Sequence, residues 1–105
     1  MKIYNKLVRD KIPEIIEASG KKVKYRVLTD KQEILNAFAD KIIEEAMELK
    51  AAINGDGNPV EEYWDVQDTL MGIQDYLELD VELWHQKFLG KGVFDKCIFL
   101  ESVEE

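Results

Sequence analysis

The sequence predicts a mainly α-helical single domain of four helices, with room for one small two-stranded β element. Three observations predict it. Apolar residues recur at helical spacing through several long stretches, polar residues suited to capping a helix N-terminus stand before three of them, and glycines close or separate them. At 105 residues the chain is long enough to bury one core and too short for a second.

The first helical pattern carries Leu7, Val8, Ile12, Ile15 and Ile16 and stops at Ser19-Gly20. Proline is tolerated only in a first helical turn, so Pro13 places the start of the regular helix near Ile12 and leaves residues 4–11 as an ordered lead-in. Residues 22–28 alternate, with Val23, Tyr25 and Val27 on one side and Lys22, Lys24 and Arg26 on the other, as a half-buried strand does. Asp30, followed by Glu33, has the spacing of a capping box and opens a long helix to about residue 53. Its apolar stripe is Leu35, Phe38, Ile42, Ala46, Leu49 and Ile53.

Residues 54–58, NGDGN, form a tight connection, and Asn58 with Pro59 starts the next helix, expected to run to about residue 79. Tyr63, Val66, Leu70, Ile73 and Leu77 are its stripe, and the two long helices should pack as an antiparallel hairpin. Asp80 caps a fourth helix over residues 81–89, closed by Gly90 and Gly92. The apolar run Cys97, Ile98, Phe99 and Leu100 is the one candidate partner for the strand at residues 22–28.

The formal net charge of −8 argues against general nucleic-acid binding, which draws its affinity from Lys and Arg neutralising phosphates. It suits a divalent cation better, since carboxylate oxygens are the protein ligands that magnesium and manganese prefer. The single cysteine, Cys97, has no intramolecular disulfide partner, the first eleven residues lack the apolar run of a secretory signal, and no segment has the length of a membrane span. A cytoplasmic location and no membrane partner are therefore expected.

Two acidic patterns carry the chemistry: Glu44, Glu45 and Glu48 (EExxE) in the long helix, then Glu62 and Asp65 (ExxD) in the next. Residues three or four apart share a helix face, so Glu45 with Glu48 and Glu62 with Asp65 each present two oxygen donors in one direction. An isolated EExxE is usually solvated surface, because Glu favours helices. Position on the helical wheel separates the cases here. At ~100° per residue, Glu45 falls about 60° from Ile42, and Glu62 about 40° from Val66, both on or beside the apolar stripes. Carboxylates there need a partner, and Lys41 is the one cation plainly available on the Glu45 side. A metal ion held by Glu45, Glu48, Glu62 and Asp65 answers that need.

Glu44, Asp68 and Asp75 point further towards solvent, and Glu44 is the best placed of them for a general base. Thr69 and Gly72 share a flank with Asp65, where small side chains either leave space for a ligand or let the helices approach closely. Asn5, Lys6, Arg9 and Lys11, in an otherwise acidic chain, are candidates for substrate binding, the three cations for phosphate and Asn5 for base or sugar; Lys91 and Lys96 follow. His85, Trp64 and Trp84 read as structural.

The EExxE and ExxD pairs, separated by residues 49–61, resemble the motif of the MazG-like all-α nucleoside triphosphate pyrophosphohydrolases. Residues 4–14, YNKLVRDKIPE, and the tail over residues 91–101, KGVFDKCIFLE, resemble a phosphoribosyl-ATP pyrophosphohydrolase-like branch of that superfamily. The tail departs from the branch at Lys91, Val93 and Cys97, where arginines and paired glycines are usual. The resemblance implies a four-helix MazG-like core, a homodimer or higher homo-oligomer, and magnesium-dependent hydrolysis of a nucleoside triphosphate between the α and β phosphates. Magnesium, or manganese in its place, would neutralise phosphate oxygens and activate a water for in-line attack, with Glu44, Glu45 and Glu48 as the catalytic group. A catalytically silent metal- or nucleotide-binding regulatory module would share these features, and an acidic helical interaction protein without metal is the third reading.

Overall fold

The computed structural model describes residues 1–104. Four α-helices follow in order: α1 (Ile12–Ala18), α2 (Lys31–Ile53), α3 (Pro59–Ile73) and α4 (Val81–Lys91), with a 3-10 turn over Gln74–Tyr76 between the last two. The mainly α class expected from the sequence is the class observed.

The polar caps act as their residue types dictate. The Asp30 carboxylate accepts from the Glu33 amide, Asn58 from the amides of Val60 and Glu61, and Asp80 from that of Leu83. The Glu33 side chain does not complete a capping box. It takes a two-pronged ion pair from Arg26 instead, both contacts 2.8 Å, which ties the connection between α1 and α2 to the start of α2.

Helix α2 packs along α3, and the 3-10 turn touches both. Ile34 and Ala52 are the buried apolar residues, with Phe38, Ile42 and Leu49 of α2 and Val66 and Ile73 of α3 half-buried around them. Gly72 is what lets the helices close at this point. A Cβ there would stand 2.7 Å from Phe38 Cε1, so the ring occupies the space any side chain would need. Of the two uses open to Gly72, helix packing is the one realised.

Three expectations differ from what is seen. Helix α3 stops at Ile73 instead of near residue 79, because Asp75, Glu78 and Asp80 crowd negative charge where the helix dipole is already negative, and its last turn has no basic residue. Helix α4 runs two residues beyond the expected end, to Lys91, before Gly92 at φ +78° leaves the helix. The β element does not form among the described residues. A strand needs a ladder partner, and Cys97, at the head of its intended partner, sits at φ +52°, outside the β region. Tyr25 and Val27 consequently stand exposed.

Helices α1 and α4 pack against no other helix. The radius of gyration is 18.2 Å, against about 13 Å for a compact domain of this length.

Candidate metal centre on the α2–α3 hairpin

Antiparallel packing of α2 on α3 turns the two acidic patterns towards each other. Glu45, Glu48 and Glu62 each bring a carboxylate oxygen to within 4.8 Å of the others. Glu45 is buried at 7% exposure, Glu62 is half-buried, and Glu48 forms the open rim. Lys41, one turn before Glu45, forms an ion pair with Glu45 Oε1 at 3.1 Å. The other oxygen, Glu45 Oε2, and Glu62 Oε2 are buried with no hydrogen-bond partner among the described residues. Two orphaned anionic oxygens cost several kcal/mol unless something satisfies them. The cluster of three carboxylates to which these two residues belong fits a hard divalent cation, which takes oxygen donors.

Electrostatics agree with the geometry. Partial burial, reinforced by the negative charges of Glu45 and Glu62, pushes the Glu48 carboxyl above its ordinary pKa. Glu44, one residue before the buried Glu45, has the opposite environment. Lys6 donates to its Oε1 at 2.6 Å and Lys41 stands 3.7 Å from the same oxygen, so its carboxyl is held below the ordinary range.

Asp65 lies outside the cluster of three. Arg9 spans it and Asp68 with its planar fork, NH2 donating to Asp65 Oδ1 at 2.7 Å and NH1 to Asp68 Oδ2 at 2.8 Å. The two carboxylates return the favour by raising the Arg9 pKa, Asp68 more than Asp65. The lead-in over residues 1–11 is thereby pinned across the acidic flank of the hairpin at two points, Lys6 and Arg9. Asn5 makes the bend that allows it, at φ +45°, a conformation asparagine tolerates better than most residues.

Of the other sequence candidates, Lys11 stands at the N-cap of α1 and makes no ion pair among the described residues. Lys91 and Lys96 are on the C-terminal segment, with no ion pair to the carboxylates among the described residues. The Thr69 hydroxyl donates back to the Asp65 carbonyl at 2.8 Å within α3. Sequence reasoning did not find Asp68 as a partner of Arg9. Its spacing of three from Asp65 was a signal, since a guanidinium fork bridges two carboxylates on one helix flank.

Compared with models of known families, with curated proteins and with solved structures, the chain matches none of them. No described helix is long and apolar enough to cross a membrane.

Proposed function

We propose that the chain is a magnesium-dependent nucleotide pyrophosphohydrolase that cleaves a nucleoside triphosphate between its α and β phosphates, releasing a monophosphate and pyrophosphate. The single observation that carries the metal half of this reading is the pair of buried, partnerless oxygens, Glu45 Oε2 and Glu62 Oε2, beside Glu48. The substrate half rests on the motif resemblance to the MazG-like enzymes and on the cations placed at the edge of that cluster. Glu45, Glu48 and Glu62 hold magnesium, or manganese, and the ion supplies neutralisation of phosphate oxygens and acidification of water.

The chain's own groups do the rest. Lys6 and Arg9 already stand on the acidic flank, each committed to carboxylates. A triphosphate competes for both with stronger acceptor oxygens. Drawing Arg9 to phosphate releases Asp65 to turn towards the cluster as a fourth carboxylate, and drawing Lys6 releases Glu44, which can then accept the proton of the attacking water. Substrate binding and completion of the site are thus the same exchange of ion pairs. Asn5, at the bend of the lead-in, is the candidate contact for sugar or base, the resemblance implies a homo-oligomer, and the lack of a signal-like or membrane-spanning run in the sequence favours the cytoplasm as its setting.

Incubation with magnesium and a panel of triphosphates, followed by phosphorus NMR, tests the proposal. Monophosphate and pyrophosphate should accumulate together, and Glu48→Ala should abolish both while keeping its helical circular dichroism. Release of orthophosphate alone, or equal turnover by the variant, contradicts it. The silent regulatory module is favoured by metal and nucleotide binding without any product.

A further inference from the structure

The lead-in carries an aromatic ring to the edge of the carboxylate cluster. Tyr4 is 60% exposed, and the cations over its ring are two ammoniums, Lys2 Nζ at 5.0 Å and Lys6 Nζ at 5.8 Å from the centroid. The Lys6 ammonium is shared. It donates to Glu44 Oε1 at 2.6 Å, and that hydrogen bond, with the negative charges of Glu44, Glu48 and Glu45, holds the Lys6 pKa above its ordinary value. One cation therefore joins the ring to the residues proposed to hold metal and to take a proton. Asn5, between Tyr4 and Lys6, adopts the left-handed conformation at φ +45°, an uncommon one for a residue with a side chain and one that gathers at functional sites.

The other rings of the chain are differently placed. Phe38 packs on Tyr76, Tyr63 on Trp64 and Trp84 on Phe88, with centroids 6.0, 5.2 and 6.4 Å apart. Tyr25, Phe94 and Phe99 are exposed, and no cation over their rings ties them to the cluster among the described residues. Tyr4 is the ring that is both without an aromatic partner and linked to the site.

We propose that Tyr4 is the platform on which the base of the nucleotide stacks. The proposal rests on the reading of the cluster as a metal-dependent nucleotide site, and adds to it the group that tells a nucleotide from a bare polyphosphate. An exposed lysine over an aromatic ring is a weak contact, and a base stacked on the same ring is a stronger one. Phosphate oxygens, in turn, offer the Lys6 ammonium a better acceptor than a ring face does. A triphosphate that draws Lys6 away thus clears the ring for its own base. Stacking engages the π face that every base has, so it selects for the presence of a base without choosing among bases.

Phosphorus NMR titrations of the full chain, in magnesium, test this with two probes that differ in carrying a base: α,β-methylene-ATP, whose α–β bridge resists hydrolysis, and inorganic tripolyphosphate. Tyr4→Leu should weaken nucleotide binding by about fivefold or more, about 1 kcal/mol, and leave tripolyphosphate within about twofold of the wild type. Tyr4→Trp should restore the nucleotide affinity. Unchanged nucleotide binding in Tyr4→Leu, an equal loss for both probes, or no nucleotide binding by the wild type overturns the proposal. An equal loss means that the ring only holds Lys6 in place. Binding and turnover are read separately here. A chain that binds nucleotide through Tyr4 without ever releasing pyrophosphate upholds the platform and refutes the hydrolase, whereas an active chain whose affinity ignores Tyr4→Leu does the reverse.

Discussion

Replacing Glu48 with glutamine should stabilise the metal-free protein and remove its response to magnesium, an inversion of sign that ordinary surface carboxylates do not show. Three carboxylate oxygens stand within 4.8 Å of one another, with Lys41 as the one cation paired inside the group. Two unit charges at that separation repel by about 3.5 kcal/mol at an effective dielectric of ~20 and about 0.9 kcal/mol in water. Glu48 is on the exposed rim, so solvent screening brings the relief on neutralising it to about 1–2 kcal/mol. That corresponds to a rise of about 5–10 °C in the unfolding midpoint for a domain of this size. Magnesium at about a hundred times its dissociation constant adds about 2.7 kcal/mol to the wild type, because it binds only the folded site. Scanning calorimetry of both proteins, at one fixed concentration, in chelator and then in magnesium, reads all four midpoints. The variant should melt higher in chelator and lower in magnesium. A variant that melts lower in both, or equal magnesium shifts for the two proteins, refutes the reasoning.

Arg9→Ala removes the bridge to Asp65 and Asp68. Trypsin should then cut the lead-in at Lys6 or Lys11 faster, and the KM for triphosphate should rise at least tenfold, about 1.4 kcal/mol of lost phosphate contact. Gly72→Ala drives a Cβ into the Phe38 ring and should lower stability by about 1–3 kcal/mol in denaturant titrations without changing the number of metal ions bound. The raised pKa of Glu48 means that the folded, metal-free protein binds its proton more tightly than the unfolded chain does. Its contribution to stability is therefore present at low pH and lost as pH rises through that raised value. Metal binding requires the ionised form, so the magnesium-induced shift in midpoint should shrink as pH falls into that range, with proton release measurable by pH-stat on adding metal just above it.

Much of the scaffold is legible in the residues because the signals are local. Asp30, Asn58 and Asp80 cap where their side chains must, and Pro13 and Pro59 sit in first helical turns. The meeting of Glu45, Glu48 and Glu62 was also legible, since helical spacing puts each beside an apolar stripe and a short connection forces the two helices to face each other. What failed was whatever depends on distant partners. The alternation over residues 22–28 promised a strand, but alternation states only that a strand could form, and Cys97 at positive φ denies it a ladder. The stripe expected on α3 divides in space: Val66 and Ile73 face α2, whereas Tyr63 and Leu70 stand out in solvent. Periodicity records apolar positions without recording which neighbour covers them. The capture of Asp65 by Arg9, 56 residues away in sequence, lies beyond any local pattern as well.

Manganese titration of the nucleotide-free protein, followed by electron paramagnetic resonance, tests the metal centre most directly. Saturable binding is expected in the wild type and in Asp65→Asn, whose oxygen is engaged by Arg9 in this state, and should be lost in Glu62→Gln. Absence of saturable binding in the wild type, or its survival in Glu62→Gln, would contradict a cation seat formed by the three glutamates.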